Sequence, residues 1–473
     1  MEIQALKQQD DRYVLNAGIL RAYDIRGIVG ETLYEADAFH IGRAFGTFVR
    51  RKTGTARPRI GLGFDGRLSS PALKEALKTG LLSSGVEVVQ IGRGPSPMLY
   101  FSVFHLKLDA GVMVTGSHNP PTHNGFKFMV GRKSFFGEEI QTLGRMIQAR
   151  DYDDAEGLAS EEDVSEAYIT RLLSALEVDK AKKTLKVAWD AGNGAAGEMM
   201  ARLCQQLPGE HIILNAKIDG TFPVHHPDPT VPKNLAQLIE TVREQVCDFG
   251  VAFDGDGDRI GAVDGQGRII WGDQLLCFFA EDVLRSHPGT PVIADVKASQ
   301  VLFDHVVQAG GEPLMWKTGH SLIKSKMGET GAKLAGEMSG HIFFADRNDG
   351  YDDGLYAAVR LLNIAAQSAD SITARMDALP STCNTPEVRV ECPDERKFDV
   401  PEEVKARLDA EGIGYNDVDG LRVNLPEGWW LLRASNTQPA LVVRCEAASE
   451  DGLEHLKAHV TVQLKQSGVE EVF

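Results

Sequence analysis

No stretch of this 473-residue chain approaches the ~18 consecutive apolar residues of a membrane-spanning helix, so a spanning segment is not expected. The opening residues, MEIQALKQQDDRY, contain no apolar core of the secretory-leader type, and a cytoplasmic protein is the expectation. Cysteine is scarce and scattered: the six, at 204, 247, 277, 383, 392 and 445, form no CxxC pair. They read as reduced thiols, mostly packing residues, rather than a disulfide framework. Positive charge is also in deficit. A net charge of −17 argues against a general nucleic-acid or anionic-membrane partner. Any anionic substrate must then be met by cations gathered locally in a cleft. Aromatics are few, at 7%, whereas glycine is abundant, at 48 residues. That combination suits an α/β protein with many strand-to-helix turns.

The length exceeds what one core fills and predicts roughly three domains. Several apolar, strand-like runs end in an aspartate followed by a turn and a helix-like segment. They are Arg59 to Phe64 into Asp65, Leu185 to Trp189 into Asp190, Phe249 to Phe253 into Asp254, and Val292 to Ala294 into Asp295. Apolar strands alternating with helices are the pattern of parallel sheets covered on both faces, and the recurrence hints at a repeated unit. The acidic stretch from Asp151 to Glu166 reads as a linker or an exposed helix start. A second boundary is expected near the turn Asp264-Gly265-Gln266-Gly267. After about residue 372 the texture changes to short strands at hairpin spacing, closed by a helix from about Asp451 to Gln466. That part reads as a separate α+β domain.

The strongest chemical signal is Thr115-Gly116-Ser117-His118-Asn119-Pro120, directly after the strand-like run Ala110 to Val114. A serine at the C-terminal lip of a buried strand stands where open α/β folds place ligands. Asp254-Gly255-Asp256-Gly257-Asp258-Arg259 is the second. Three carboxylates so close repel one another unless a cation lies between them, and hard oxygens suit Mg²⁺ or Ca²⁺. An EF-hand loop fails here: Arg259 stands where it needs glycine and Gly265 where it needs glutamate. Gly192-Asn193-Gly194-Ala195-Ala196-Gly197 fits the dinucleotide fingerprint, but Asp190 would crowd a pyrophosphate, so a tight structural turn is preferred. Gly336-Glu337-Met338-Ser339-Gly340-His341 could hydrogen-bond sugar hydroxyls or form a buried polar turn. Arg433-Ala434-Ser435-Asn436-Thr437-Gln438 offers a phosphate cradle, or a capped turn. Tyr23, Arg26, Lys127, Lys297 and His320 follow or flank other strand ends. His225-His226 is read as an extended loop.

Together, TGSHNP, NGFK, DGDGDR, GEMSGH and RASNTQP, in that order, resemble the α-D-phosphohexomutase family from about Leu20 to about Glu446. The resemblance implies an α/β fold of three related α/β domains plus a C-terminal α+β domain around a central cleft. The boundaries expected are 1–160, 161–265, 266–372 and 373–473. It implies reversible phosphoryl transfer between C1 and C6 of mannose and/or glucose phosphates, through phosphoserine and a hexose 1,6-bisphosphate. Ser117 would carry the phosphoryl group. Asp254, Asp256 and Asp258 would hold Mg²⁺ together with a phosphoserine oxygen at Ser117. Arg26, Lys127, Arg259 and His341 would surround the transferring group, with Lys127 and His341 moving protons. Glu337 and Ser339 would bind sugar hydroxyls. Arg433, Ser435, Asn436 and Thr437 would grip the other phosphate, with Tyr23, Lys297 and His320 as further contacts. Glucose 1,6-bisphosphate or mannose 1,6-bisphosphate is the implied activator, and a monomer or weak dimer the expected state. Met338 and Asn436 favour the mannose/glucose enzymes over the alternative, a phosphoglucosamine mutase. Gln438 removes a charge that many relatives carry as Glu. A metal-dependent sugar phosphatase using the same phosphoserine is the other alternative, but it would need no remote phosphate cradle.

Overall fold

Three sheets repeat one strand order in the computed structural model, which describes residues 13–435, 439–470 and 473. In the first, Glu87–Arg93, Arg59–Phe64, Ala110–Val114 and His123–Val130 lie side by side; the first three are parallel and the fourth antiparallel. The second sheet repeats this with Glu210–Leu214, Lys186–Asp190, Phe249–Phe253 and Ile260–Asp264. The third uses Glu312–Trp316, Pro291–Asp295, Leu334–Gly336 and Ile342–Phe344. Three of the four strand–aspartate runs are thus equivalent strands of a repeated unit, whereas Phe249–Phe253 is the third strand of the second one. The sheets are mixed rather than wholly parallel. The antiparallel Ile260–Asp264 is buried along its whole length, so its apolar run reads like that of a parallel strand.

The loops TGSHNP, DGDGDR and GEMSGH hold one topological position. Each joins the third strand of its unit to the antiparallel fourth. Asp65 and Asp295, which end the central strands, brace the loop of their own unit: Asp65 Oδ2 accepts from Thr115 Oγ1 at 2.8 Å, and Asp295 Oδ1 from the Met338 amide at 3.4 Å. Asp190 instead accepts from the Gly192 amide at 2.9 Å, which makes the glycine-rich segment a tight turn rather than a dinucleotide site.

Of the two readings of the 151–166 stretch, a linker or an exposed helix start, the helix start holds at its end and a strand stands in place of the linker. Leu158–Glu161 extends the first sheet in parallel beside Glu87–Arg93, and Ser165–Leu173 is helical. This strand lies at a sheet edge with mostly exposed side chains, so no apolar alternation marks it. The C-terminal region is an antiparallel sheet built around Gly428–Ala434 and Ala440–Ala447, with helices Asp399–Glu411 and Glu450–Lys465 packed on it. Two buried arginines dock it on the third unit. Arg422 Nη1 donates to the carbonyls of Val296 and Ala298 at 2.8 and 2.6 Å, its guanidinium 3.7 Å from the Trp429 ring centroid. Arg444 donates to the Lys297 carbonyl. Five of the six cysteines are buried and all are free. No helix among the described residues is long and apolar enough to cross a membrane.

Helix Gly354–Gln367 ties the units together; it is buried along nearly its whole length, and the Gly354 amide donates to Gly257 O of the DGDGDR loop at 3.1 Å. Its N-cap, Asp353, accepts from the Tyr356 amide and the Tyr168 hydroxyl, each at 2.9 Å. Burial pushes this carboxyl up to about 7. Because the folded protein holds that proton more tightly than the unfolded chain does, the stabilisation is complete below about pH 4 and is lost as pH rises through about 7. Asp353→Asn keeps the cap without the titration. Its thermal stability relative to wild type should therefore improve between pH 5 and pH 8, by on the order of 2–4 kcal/mol. A difference that stays constant across that range would contradict the shift.

Candidate active site

A cleft of about 1040 Å³ opens where the three repeated units and the C-terminal domain meet. Ser117 lies at its floor, buried, in a left-handed conformation with φ 50°. The Thr115 side chain supports that turn by accepting from the Ser117 amide at 2.9 Å. Ser117 Oγ donates to Asp254 Oδ2 at 3.1 Å. The Ser117 loop of the first unit thus touches the acidic loop of the second. Gly255 permits this approach, since a Cβ there would lie 2.3 Å from the Ser117 carbonyl oxygen.

Asp254, Asp256 and Asp258 are fully buried, and one oxygen of each lies within 4.8 Å of the others. Three like charges in so dry a place need a counter-charge. Lys127, from the antiparallel strand of the first unit, supplies one: Nζ donates to Asp256 Oδ2 at 2.7 Å and Asp258 Oδ2 at 2.5 Å. Burial opposes the lysine charge, yet Asp256 and Asp258 hold it well above its usual value. Burial would likewise raise Asp256, but Lys127 and Ser96 keep it below the carboxylate range. Asp254 is pushed well above that range, first by burial and then by Asp256 and Asp258. Asp256 Oδ1 and Asp258 Oδ1 are buried without a hydrogen-bond partner. Converging hard oxygens, two of them orphaned, beside a serine hydroxyl fit a Mg²⁺ ion.

A histidine–arginine array flanks this cluster. Arg259 Nε donates to His341 Nε2 at 3.0 Å, which places the ring proton of His341 on Nδ1. That nitrogen faces Asp352 Oδ2 at 2.9 Å. His320 stacks on His341 with centroids 5.3 Å apart and also faces Asp352 Oδ2, at 3.4 Å. Lys324 Nζ binds the other oxygen of Asp352 at 2.8 Å. Burial, then Lys324, lowers the His320 pKa. Burial, Arg259 and Arg26 keep His118 well below its ordinary value, so its imidazole beside Ser117 is neutral near pH 7. Arg26 reaches Asn119 Oδ1 at 2.6 Å and pairs with Asp24.

The opposite wall carries the remaining expected groups. Glu337 Oε1 accepts from the Gly319 amide at 2.7 Å, and Ser339 lines the cleft beside it. The Tyr23 hydroxyl donates to Thr318 O at 2.9 Å. Lys297 Nζ lies 3.3 Å from Glu387 and 3.6 Å from Asp295. Arg433 is held by Asp419, with Nε donating to Oδ2 at 3.0 Å, and Asp419 also accepts from the Thr318 amide at 3.0 Å. Ser435 is buried at the cleft margin. Asn436 and Thr437 lie outside the described residues.

The four domain models of one family match in order. Phosphoglucomutase/phosphomannomutase alpha/beta/alpha domains I, II and III match residues 18–152, 166–267 and 271–383, and the C-terminal domain matches 387–462. The chain belongs to the phosphoglucomutase/phosphomannomutase family. It is 44% identical over 451 residues to the phosphomannomutase/phosphoglucomutase of Pseudomonas aeruginosa, covering 95% of this chain and 96% of that protein. It is 45% identical over 443 residues to a phosphoglucomutase of Neisseria gonorrhoeae, covering 93% and 95%. A phosphoglucomutase/phosphomannomutase family protein from Burkholderia thailandensis superposes with a TM-score of 0.91 at 41% identity, covering 97% of this chain and all of that one. As a member of this family of mutases, the chain is an enzyme of the isomerase class.

For a phosphoglucomutase/phosphomannomutase family member, every expected site residue within the described range lines the cleft or, for the three aspartates, lies directly beneath it. Several supporting groups escaped the sequence reading. Ser96, at the start of helix Ser96–His105, donates its hydroxyl to Asp256 Oδ2 and its amide to Asp256 O at 2.8 Å. Asp352, Lys324 and Asp419 are likewise set by tertiary contact. His225 is not a bare loop residue either, since its Nε2 lies 2.9 Å from Asp190 Oδ2.

Replacing Lys127 by methionine leaves buried carboxylates unpaired, an imbalance of about 3–5 kcal/mol. Lys127→Met should therefore melt below wild type without metal and recover most of the loss on adding Mg²⁺. An equal deficit with and without Mg²⁺, followed by scanning calorimetry, would refute the charge-balance account.

Proposed function

We propose that this enzyme moves a phosphoryl group between C1 and C6 of a hexose phosphate, mannose and/or glucose, with Ser117 as the phosphoryl carrier. The observation that carries the reading is the pairing of two walls in one cleft. Ser117 stands against the acidic loop on one side, and Arg433 and Ser435 stand on the other. A carrier that must hand over a phosphoryl group and take one back needs a second anchor for the phosphate that is not reacting.

Phosphorylated Ser117 meets a hexose monophosphate whose own phosphate is gripped by Arg433 and Ser435, with Asn436 and Thr437 in the same segment. The sugar hydroxyl forms a new O–P bond as the Ser117 O–P bond breaks; its proton passes to a base, for which His341 is the candidate, and Lys127, kept charged by Asp256 and Asp258, is the candidate to return a proton to the departing Ser117 oxygen. Arg259 and Arg26 face the charge that develops on the transferring oxygens. Glu337 and Ser339 take the sugar hydroxyls in both orientations, with Tyr23, Lys297 and His320 as further contacts. The hexose 1,6-bisphosphate then turns, its other phosphoryl returns to Ser117, and the isomeric monophosphate leaves. Asp254, Asp256 and Asp258 would hold Mg²⁺, which neutralises the carboxylates and polarises a phosphoryl oxygen. Glucose 1,6-bisphosphate or mannose 1,6-bisphosphate would recharge any Ser117 that has lost its phosphate.

Purified protein with Mg²⁺ and a trace of glucose 1,6-bisphosphate should convert mannose 1-phosphate or glucose 1-phosphate to the 6-phosphate. Glucosamine 1-phosphate should be a poor substrate. Intact-mass analysis should find one added phosphate on wild type and none on Ser117→Ala, whose turnover should be abolished. Full turnover by Ser117→Ala would end this reading.

A further inference from the structure

We propose that Arg67, which no sequence motif contains, is the positioning residue of the phosphoryl-carrying loop; this rests on the reading of Ser117 as the carrier. Arg67 follows the central strand of the first unit and is 2% exposed. All five N–H groups of its guanidinium are used. Nη1 donates to the carbonyls of Pro120 and His123 at 2.6 and 2.9 Å. Nη2 donates to the carbonyls of Ser117 and Asn119, both at 2.6 Å. Nε donates to Asp65 Oδ2 at 3.2 Å.

The loop is therefore held from two sides. Asp65 takes the donors of Thr115 and Gly116, and Arg67 takes the carbonyls that follow. With its carbonyl drawn to Arg67, Ser117 keeps its left-handed backbone and directs Oγ to Asp254. The clamp needs Gly116 beside it, since a Cβ there would sit 2.5 Å from both Cζ and Nε of Arg67. Phe222 of the second unit covers the guanidinium at 5.3 Å, so the clamp is packed by the unit that carries the metal loop. Only a planar fork with five donors can gather four carbonyls in this way; an ammonium cannot.

Arg67 touches no substrate position, so its effect should fall on the chemical step. In full-length Arg67→Lys, kcat on glucose 1-phosphate should drop about 100-fold while KM stays within about threefold. The fraction of protein that acquires phosphate from glucose 1,6-bisphosphate should fall in parallel. Phe222→Leu is the control, because it loosens the packing but leaves all five hydrogen bonds. It should lower the melting temperature yet keep kcat within about threefold of wild type. Arg67→Lys with near-wild-type kcat, or Phe222→Leu losing kcat as severely as Arg67→Lys, would overturn the proposal. Wild type that neither isomerises hexose phosphates nor takes up phosphate would instead defeat the functional reading itself.

Discussion

The buried meeting of Lys127 with Asp256 and Asp258 is the interaction on which the rest of the molecule depends. It joins a cation of the first unit to carboxylates of the second in a place that excludes water. Removing either side would strand uncompensated charge in a low dielectric, so the two units are held in one relative placement. That placement brings Ser117 to Asp254 and Ser96 to Asp256. One lysine does not balance three aspartates, two oxygens stay unpartnered, and that residual deficit makes the site receptive to a divalent ion.

Repetition of the unit explains how one cleft gathers its chemistry. Each unit offers the same position, the loop after its third strand, and each loop carries a different kind of group: the Ser117 hydroxyl, three carboxylates, and the polar pair Glu337 and Ser339. Strand ends in an α/β sheet are rigid, because the strands beneath them are buried on both faces. Chain flexibility at the loops is further removed by Asp65 and Asp295. The fourth domain is attached differently. Arg422 and Arg444 bind backbone carbonyls of 296–298, so the domain that carries Arg433 is linked through backbone to the segment that carries Lys297.

Much of this is legible in the amino-acid sequence. The strand–aspartate runs are continuous apolar segments bounded by turn residues, and each forms the strand expected of it. The acidic loop announced itself because three adjacent carboxylates have few explanations other than a cation. What stayed hidden falls into two kinds. The edge strand Leu158–Glu161 lacks an apolar face, so its pairing leaves no periodic trace. Arg67, Ser96, Asp352 and Asp419 are ordinary polar residues in local sequence; nothing near them in the chain states that they will be held by partners between 14 and 160 residues away.

By itself, then, the sequence determined the local chemistry on offer: which strands are buried, which loops carry a hydroxyl, carboxylates or an arginine, and that they belong to one family pattern in order. Only the tertiary structure decided how those groups are charged and aimed. Lys127 proved to be a counter-ion to two aspartates, His341 to hold its proton toward Asp352, and Ser117 to be turned by carbonyl bonds to Arg67. The reason is physical. Residue identity sets what a side chain can donate or accept, whereas burial and the distance to a partner from another unit set what it does.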